Sequence, residues 1–156
     1  AIQLNPDTPE VYWYRALIMM DSGDYQEAIN DLLKAVHLDG SSFAYNLDLG
    51  RALFQTERYS DANRQLNITE RLAKEDIEKA KIYYWRARTL ETSMNLLQAR
   101  EDWKRLLALP ASSMPSDWRQ YAQEHLLALE TPTQTSTLTA TATIRVTQTP
   151  TKTKTP

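Results

Sequence analysis

The sequence predicts an all-α fold assembled from helix–turn–helix hairpins, and two patterns carry that expectation. Between Tyr12 and Leu38, Val11, Arg15, Ile18 and Met19 recur at helical spacing before Ser22-Gly23-Asp24, and Tyr25, Ala28, Leu32, Ala35 and Val36 recur after it. The pattern then returns 34 residues on, and again 37 beyond that. Ala16 falls on Gly50 and Ala87, Ala28 on Ala62 and Ala99, and Leu32 on Leu66 and Trp103. An amphipathic hairpin cannot bury its stripe alone, so successive copies must stack.

Each predicted element has a local cause. Thr8 and Pro9 suit the cap and first position of a helix running to Asp21. Gly23 supplies a positive φ that ends this helix, and Asp24 caps the next, which runs to Leu38. Ser41 or Ser42 caps a third helix ending near Thr56, and a fourth spans Tyr59 to Lys74. Glu57 and Met94 stand where the first hairpin has its glycine. The three extra residues between the second and third copies fall around Ala73 to Glu78. The fifth helix covers Ile77 to Ser93 and the sixth Leu96 to Leu109, where Pro110 stops it. A last helix, Asp117 to Leu129, repeats the first-helix pattern as Trp118-x2-Tyr121-Ala122 and reads as a cap on the last hairpin. Small residues at the alanine and glycine positions let paired helices approach closely. Arg15 and Arg86 stand at apolar positions, with their stems packed and their guanidinium groups expected at the edge.

The spacing Leu49-Gly50-x2-Leu53, followed by Ala28-x3-Leu32, Ala62-x3-Leu66 and Ala99-x3-Trp103, resembles the tetratricopeptide repeat family. The resemblance covers roughly residues 1–130. It implies a right-handed α-solenoid: residues 1–8 as the end of a preceding repeat, 9–130 as three hairpins with a C-terminal capping helix, and 131–156 as a tail. Ala1-Ile2-Gln3-Leu4-Asn5-Pro6 matches Ala35-Val36-His37-Leu38-Asp39-Gly40, so the chain reads as a piece of a longer repeat protein. In this family the first helix of each hairpin lines a concave face. Carried over, that face holds Glu10, Trp13, Leu17 and Met20, then Ala44, Leu47, Arg51 and Phe54, then Lys81, Tyr84, Arg88 and Glu91. The binding set is Trp13, Leu17, Met20, Leu47, Arg51, Phe54, Lys81, Tyr84 and Arg88, with the choice between neighbours Tyr84 and Trp85 open. The Lys, Asn and Arg set with which some members grip a C-terminal carboxylate is not reproduced, since asparagine is missing from the equivalent positions.

Composition narrows the function. The chain has 156 residues and a formal charge of −2, and the three tail cations leave the preceding residues at −5. That argues against a nucleic-acid partner. No cysteine is present, which removes disulfide, zinc-thiolate and thiol chemistry. No apolar run reaches the length of a membrane span, and no signal peptide is visible. His37 and His125 lie in different repeats without metal-ligand spacing, and the acid pairs Glu75-Asp76 and Glu101-Asp102 sit on helices that read as solvated. No cofactor, metal or catalytic residue is expected.

The tail places Thr at every odd position but Arg145 and resembles extracytoplasmic Thr-Pro stalks of some bacterial surface proteins. It reads as extended, disordered coil, and the protein as extracytoplasmic or envelope-associated. The function expected is a scaffold that holds a protein or peptide segment, with apolar anchors and an acidic group, in its concave groove. The alternative is a regulatory or substrate-docking arm of an enzyme whose catalytic domain lies upstream. A third reading is a spacer that self-associates through its hairpins.

Overall fold

The computed structural model describes residues 8–130. The expectations for residues 1–7 as the end of a repeat and for the Thr/Pro tail lie outside the described residues. Within them the chain is all helical: α1 (Pro9–Asp21), α2 (Tyr25–Leu38), α3 (Phe43–Gln55), α4 (Tyr59–Glu70), α5 (Asp76–Thr92), α6 (Leu96–Ala108) and α7 (Ser116–Glu130), with one 3-10 turn at Ala111–Ser113. Each helix packs on its neighbours in sequence, which makes a solenoid of hairpins α1/α2, α3/α4 and α5/α6 closed by α7.

The recurring small residues sit at the helix crossings. Ala16, Ala28, Ala62, Ala87 and Ala99 are fully buried. At Gly50 a Cβ would stand 3.0 Å from the Leu66 side chain, so an alanine there needs that side chain to shift by a few tenths of an ångström. Leu32, Leu66 and Trp103 fill the grooves between. The core divides into a cluster around α1–α4 and another around α5–α7.

All three hairpin turns close identically. Gly23 N–H donates to the Met20 carbonyl and Asp24 N–H to that of Met19. Glu57 and Arg58 repeat this on Phe54 and Leu53, and Met94 and Asn95 on Glu91 and Leu90. This is a Schellman closure, whose penultimate residue must be left-handed. Gly23 (φ 85°), Glu57 (61°) and Met94 (63°) all adopt it, two of them against the preference of their side chains.

Several local expectations are corrected. Asp24 occupies the cap position of α2, but its side chain makes no capping hydrogen bond. Thr8 likewise occupies the cap position of α1 without a side-chain capping hydrogen bond, and among the described residues its buried hydroxyl has no partner. Ser42 does cap α3, accepting from Tyr45 N–H. α4 ends at Glu70 rather than Lys74, and the extra residues divide between the connection and an α5 of 17 residues. There the Glu78 carboxylate accepts from the N–H groups of Lys74 and Glu75, fastening the start of α5.

Arg86 and Asp102 depart furthest from expectation. Arg86 is 5% exposed and Asp102 2%, so neither lies at an edge or on a solvated face. Arg86 Nε and Nη2 donate to the two Asp102 oxygens at 2.6 and 2.9 Å, and Nη1 reaches Asn67 (2.8 Å) and Glu70 (2.5 Å) on α4. Burying the guanidinium is tolerable because its donors are all but consumed. Arg15 and Asp31 make the same fork in the first hairpin, also 16 residues apart.

Candidate functional site

The first helices of the hairpins, α1, α3 and α5, share one face with α7, and a cavity of about 460 Å³ opens on it. Trp13 and Leu17 come from α1, Leu47, Asp48 and Arg51 from α3, Lys81 and Trp85 from α5, and Trp118 from α7. The walls are aromatic and the polar groups few, the usual make-up of a recognition site.

Asp48 organises the centre. It is 6% exposed, accepts from Trp13 Nε1 at 2.8 Å and from Arg51 Nη1 at 2.7 Å, and so fixes an aromatic and a cation from two helices. The Arg51 guanidinium lies 5.3 Å from the Trp85 ring centroid. Its Nε is buried and has no hydrogen-bond partner among the described residues.

A second pocket of about 170 Å³ holds Phe54, Arg88, Glu91, Thr92, Tyr121 and His125. The Arg88 guanidinium stands 5.0–5.8 Å from the ring centroids of Trp85, Phe54, Tyr84 and Tyr121. Glu91 accepts from the Trp103 indole at 3.1 Å and faces His125 Nδ1 at 2.8 Å, which pins α7 to α5. Burial pushes the Tyr121 hydroxyl above its ordinary range, which keeps it neutral beside Arg88. Among the described residues neither Lys81 nor Arg88 pairs with a carboxylate.

The expected groove residues therefore divide. Trp13, Leu17, Leu47, Arg51 and Lys81 meet at the larger cavity, and Phe54 and Arg88 at the smaller. Met20 instead packs in the α1–α4 core at 9% exposure. Tyr84 is 8% exposed and stacks on Trp118 at 4.1 Å, leaving Trp85 on the groove. Sequence reasoning held Trp85 only as the alternative to Tyr84, and missed Asp48, Trp118, Tyr121 and His125. The signal for the last three was the first-helix pattern in α7: a helix with that pattern lines the concave face as well as capping the array. His37 is exposed, and His125 stacks on Tyr121 at 3.9 Å.

The tetratricopeptide repeat family model matches residues 9–42. Over 73 residues it is 38% identical to human Tetratricopeptide repeat protein 13, covering 47% of this chain and 8% of that protein. Over 68 residues it is 37% identical to the rice Protein SGT1 homolog, covering 44% of this chain and 18% of that protein. The chain thus spans less than a fifth of either relative. Among solved structures, the first tetratricopeptide domain of Spaghetti (RPAP3), bound to an HSP90 peptide, superposes with a TM-score of 0.68 at 19% identity, covering 84% of this chain and all of that one. The Yersinia enterocolitica chaperone SycD, in complex with a peptide of the translocator YopD, superposes with a TM-score of 0.68 at 19% identity, covering 77% and 90%. At these identities the tetratricopeptide fold is what is shared.

Proposed function

We propose that this tetratricopeptide array is a scaffold that holds a segment of another protein along its concave face. The observation that carries this reading is the pair of cations, Lys81 and Arg88, without carboxylate partners beside an aromatic cavity. The chain as a whole is acidic. A basic strip on an acidic body selects for acidic segments and against basic ones. Lys81 and Arg88 are seven residues apart on α5, about 10 Å along its axis, so one short segment reaches both. Apolar side chains of that segment fill the space between Trp13, Leu17 and Trp85, where aromatic walls supply most of the free energy. The two solved neighbours captured with peptides support the same use of the fold.

Binding rather than catalysis is the reading favoured. His125 has Glu91 on one ring nitrogen, but among the described residues no hydroxyl hydrogen-bonds the other. No described helix is long and apolar enough to cross a membrane. The Thr/Pro composition of residues 131–156 supports a bacterial, extracytoplasmic setting, which cleavage by protease added to intact cells tests.

The functional test is a titration with a segment selected from a display library of short acidic–apolar peptides. Lys81→Glu with Arg88→Glu is expected to weaken it at least tenfold, about 1.4 kcal/mol. Equal binding by the double variant, with the circular dichroism of the parent, overturns the groove assignment.

A further inference from the structure

Away from the concave face, the second helices of successive hairpins frame a groove over the first helix between them. α2 and α4 frame one over α3, and α4 and α6 the next over α5. The two grooves share a register but not a chemistry. Ile29 and Leu33 of the first stand where the second has Asn63 and Asn67, and Asp61 where it has Gln98. The first is about 160 Å³ and the second about 550 Å³, larger than the cavity on the concave face. Among the described residues the carboxamides of Asn63 and Gln98 make no hydrogen bond, and that of Asn67 spends only its Oδ1, on Arg86. Buried Leu90 and the Arg86–Asp102 fork close the floor.

We infer that the groove between α4 and α6 is a second binding site, which takes an extended, uncharged segment of a partner protein by its main chain. A carboxamide both donates and accepts, as a peptide group does. Asn63 and Asn67 are one turn apart on α4, about 6 Å along its axis. An extended chain turns equivalent N–H and C=O groups to the same edge every second residue, a repeat of roughly 6.6 Å. The two asparagines therefore meet successive peptide groups along one edge, while Gln98 serves the other from α6. Leu90, with Leu97 at 73% exposure where the preceding repeat has Ser60, receives an apolar side chain of the segment. The charged lining is Arg86 and Arg105 against Glu70, Glu101 and Asp102, one negative charge in excess. That excess repels the acidic segment proposed for the concave face. The two cavities share no lining residue, so neither reading rests on the other.

The probe is the capped peptide acetyl-Ser-Leu-Ser-Leu-Ser-amide, titrated to millimolar concentration into the whole chain while ¹⁵N side-chain resonances are followed. The NH2 signals of Asn63, Asn67 and Gln98 are expected to shift together and saturate, with the Trp13 and Trp118 indoles unmoved. The same peptide N-methylated at both leucines keeps its side chains and loses main-chain donors, and is expected to bind roughly tenfold more weakly. Asn63→Ala with Gln98→Ala removes two carboxamides that hold nothing in the fold. This double variant is expected to lose a similar factor in affinity and to keep the melting temperature of the parent. Equal binding of the N-methylated peptide, or equal binding by the double variant, overturns the inference. So does a titration that leaves the three NH2 signals in place, or one that moves the groove indoles instead.

Discussion

Trp13 and Asp48 lie 35 residues apart and meet across the first repeat boundary, the indole N–H donating to the carboxylate at 2.8 Å. The other oxygen of Asp48 holds Arg51 at 2.7 Å. One buried carboxylate therefore sets the orientation of an aromatic wall and of a groove cation, and it joins the hairpin packing to the shape of the site.

Replacing Asp48 by Ala leaves the indole N–H and one guanidinium donor without acceptors. The expected cost is about 1–3 kcal/mol in chemical denaturation, with a parallel loss of segment binding. Asp48→Asn keeps one acceptor, for Trp13 or for Arg51, but sets its NH2 against the other donor and loses the charge, so it recovers only part of the loss.

The Arg86–Asp102 fork is buried on both sides, and breaking it is the costliest single polar change expected. Asp102→Ala leaves Nε and Nη2 of the buried guanidinium without acceptors while Nη1 keeps Asn67 and Glu70, and is expected to destabilise by about 3 kcal/mol, read from the urea midpoint. Replacing both partners together, Arg86→Met with Asp102→Leu, recovers most of that loss. Asp31→Ala costs less, because the side chain of Arg15 is half exposed and water takes over its donors.

Glu57 and Met94 hold left-handed backbone without being glycine. That conformation costs a side-chain-bearing residue about 1–2 kcal/mol, part of which glycine gives back through its freer unfolded chain. Glu57→Gly and Met94→Gly are each expected to stabilise the array by about 0.5–1 kcal/mol. Thermal melts of the two variants, singly and combined, check it.

The Arg86 guanidinium holds the Glu70 carboxyl below the usual carboxylate range. The folded form therefore keeps its charge to lower pH than the unfolded chain does. Its stabilisation is complete above the unfolded carboxylate range and is lost as pH falls through the folded value. Glu70→Gln is expected to be less stable than the parent near neutrality, with the difference closing as pH falls through the lowered folded value. A constant difference across that window contradicts the pairing.

Much of the architecture was legible because close helix crossings demand small residues, and Ala16, Gly50 and Ala87 with Ala28, Ala62 and Ala99 mark the crossing within each hairpin. The turns were legible only at Gly23, since Glu57 and Met94 disguise the same closure. What lay beyond reach depended on distant partners. Tyr84 and Trp85 are both aromatic and adjacent, and only the stack with Trp118, more than 30 residues on, turns Tyr84 inward. Arg86 looked like an edge residue because its neutralising partners, Asp102 and Glu70, come from two other helices. The shared 16-residue interval of Arg15–Asp31 and Arg86–Asp102 was the readable trace of that pairing.

The account rests most on the claim that the concave face is where a partner segment lies, and the four tryptophans offer the most direct measurement of it. Trp13, Trp85 and Trp118 line the groove, while Trp103 is fully buried. Following the four ¹⁵N-indole resonances during titration with the selected acidic–apolar peptide reads the site without any substitution. The groove reading predicts that the signals of Trp13, Trp85 and Trp118 move and saturate together, with Trp103 moving least. Saturable binding that leaves all three groove indoles in place would contradict it.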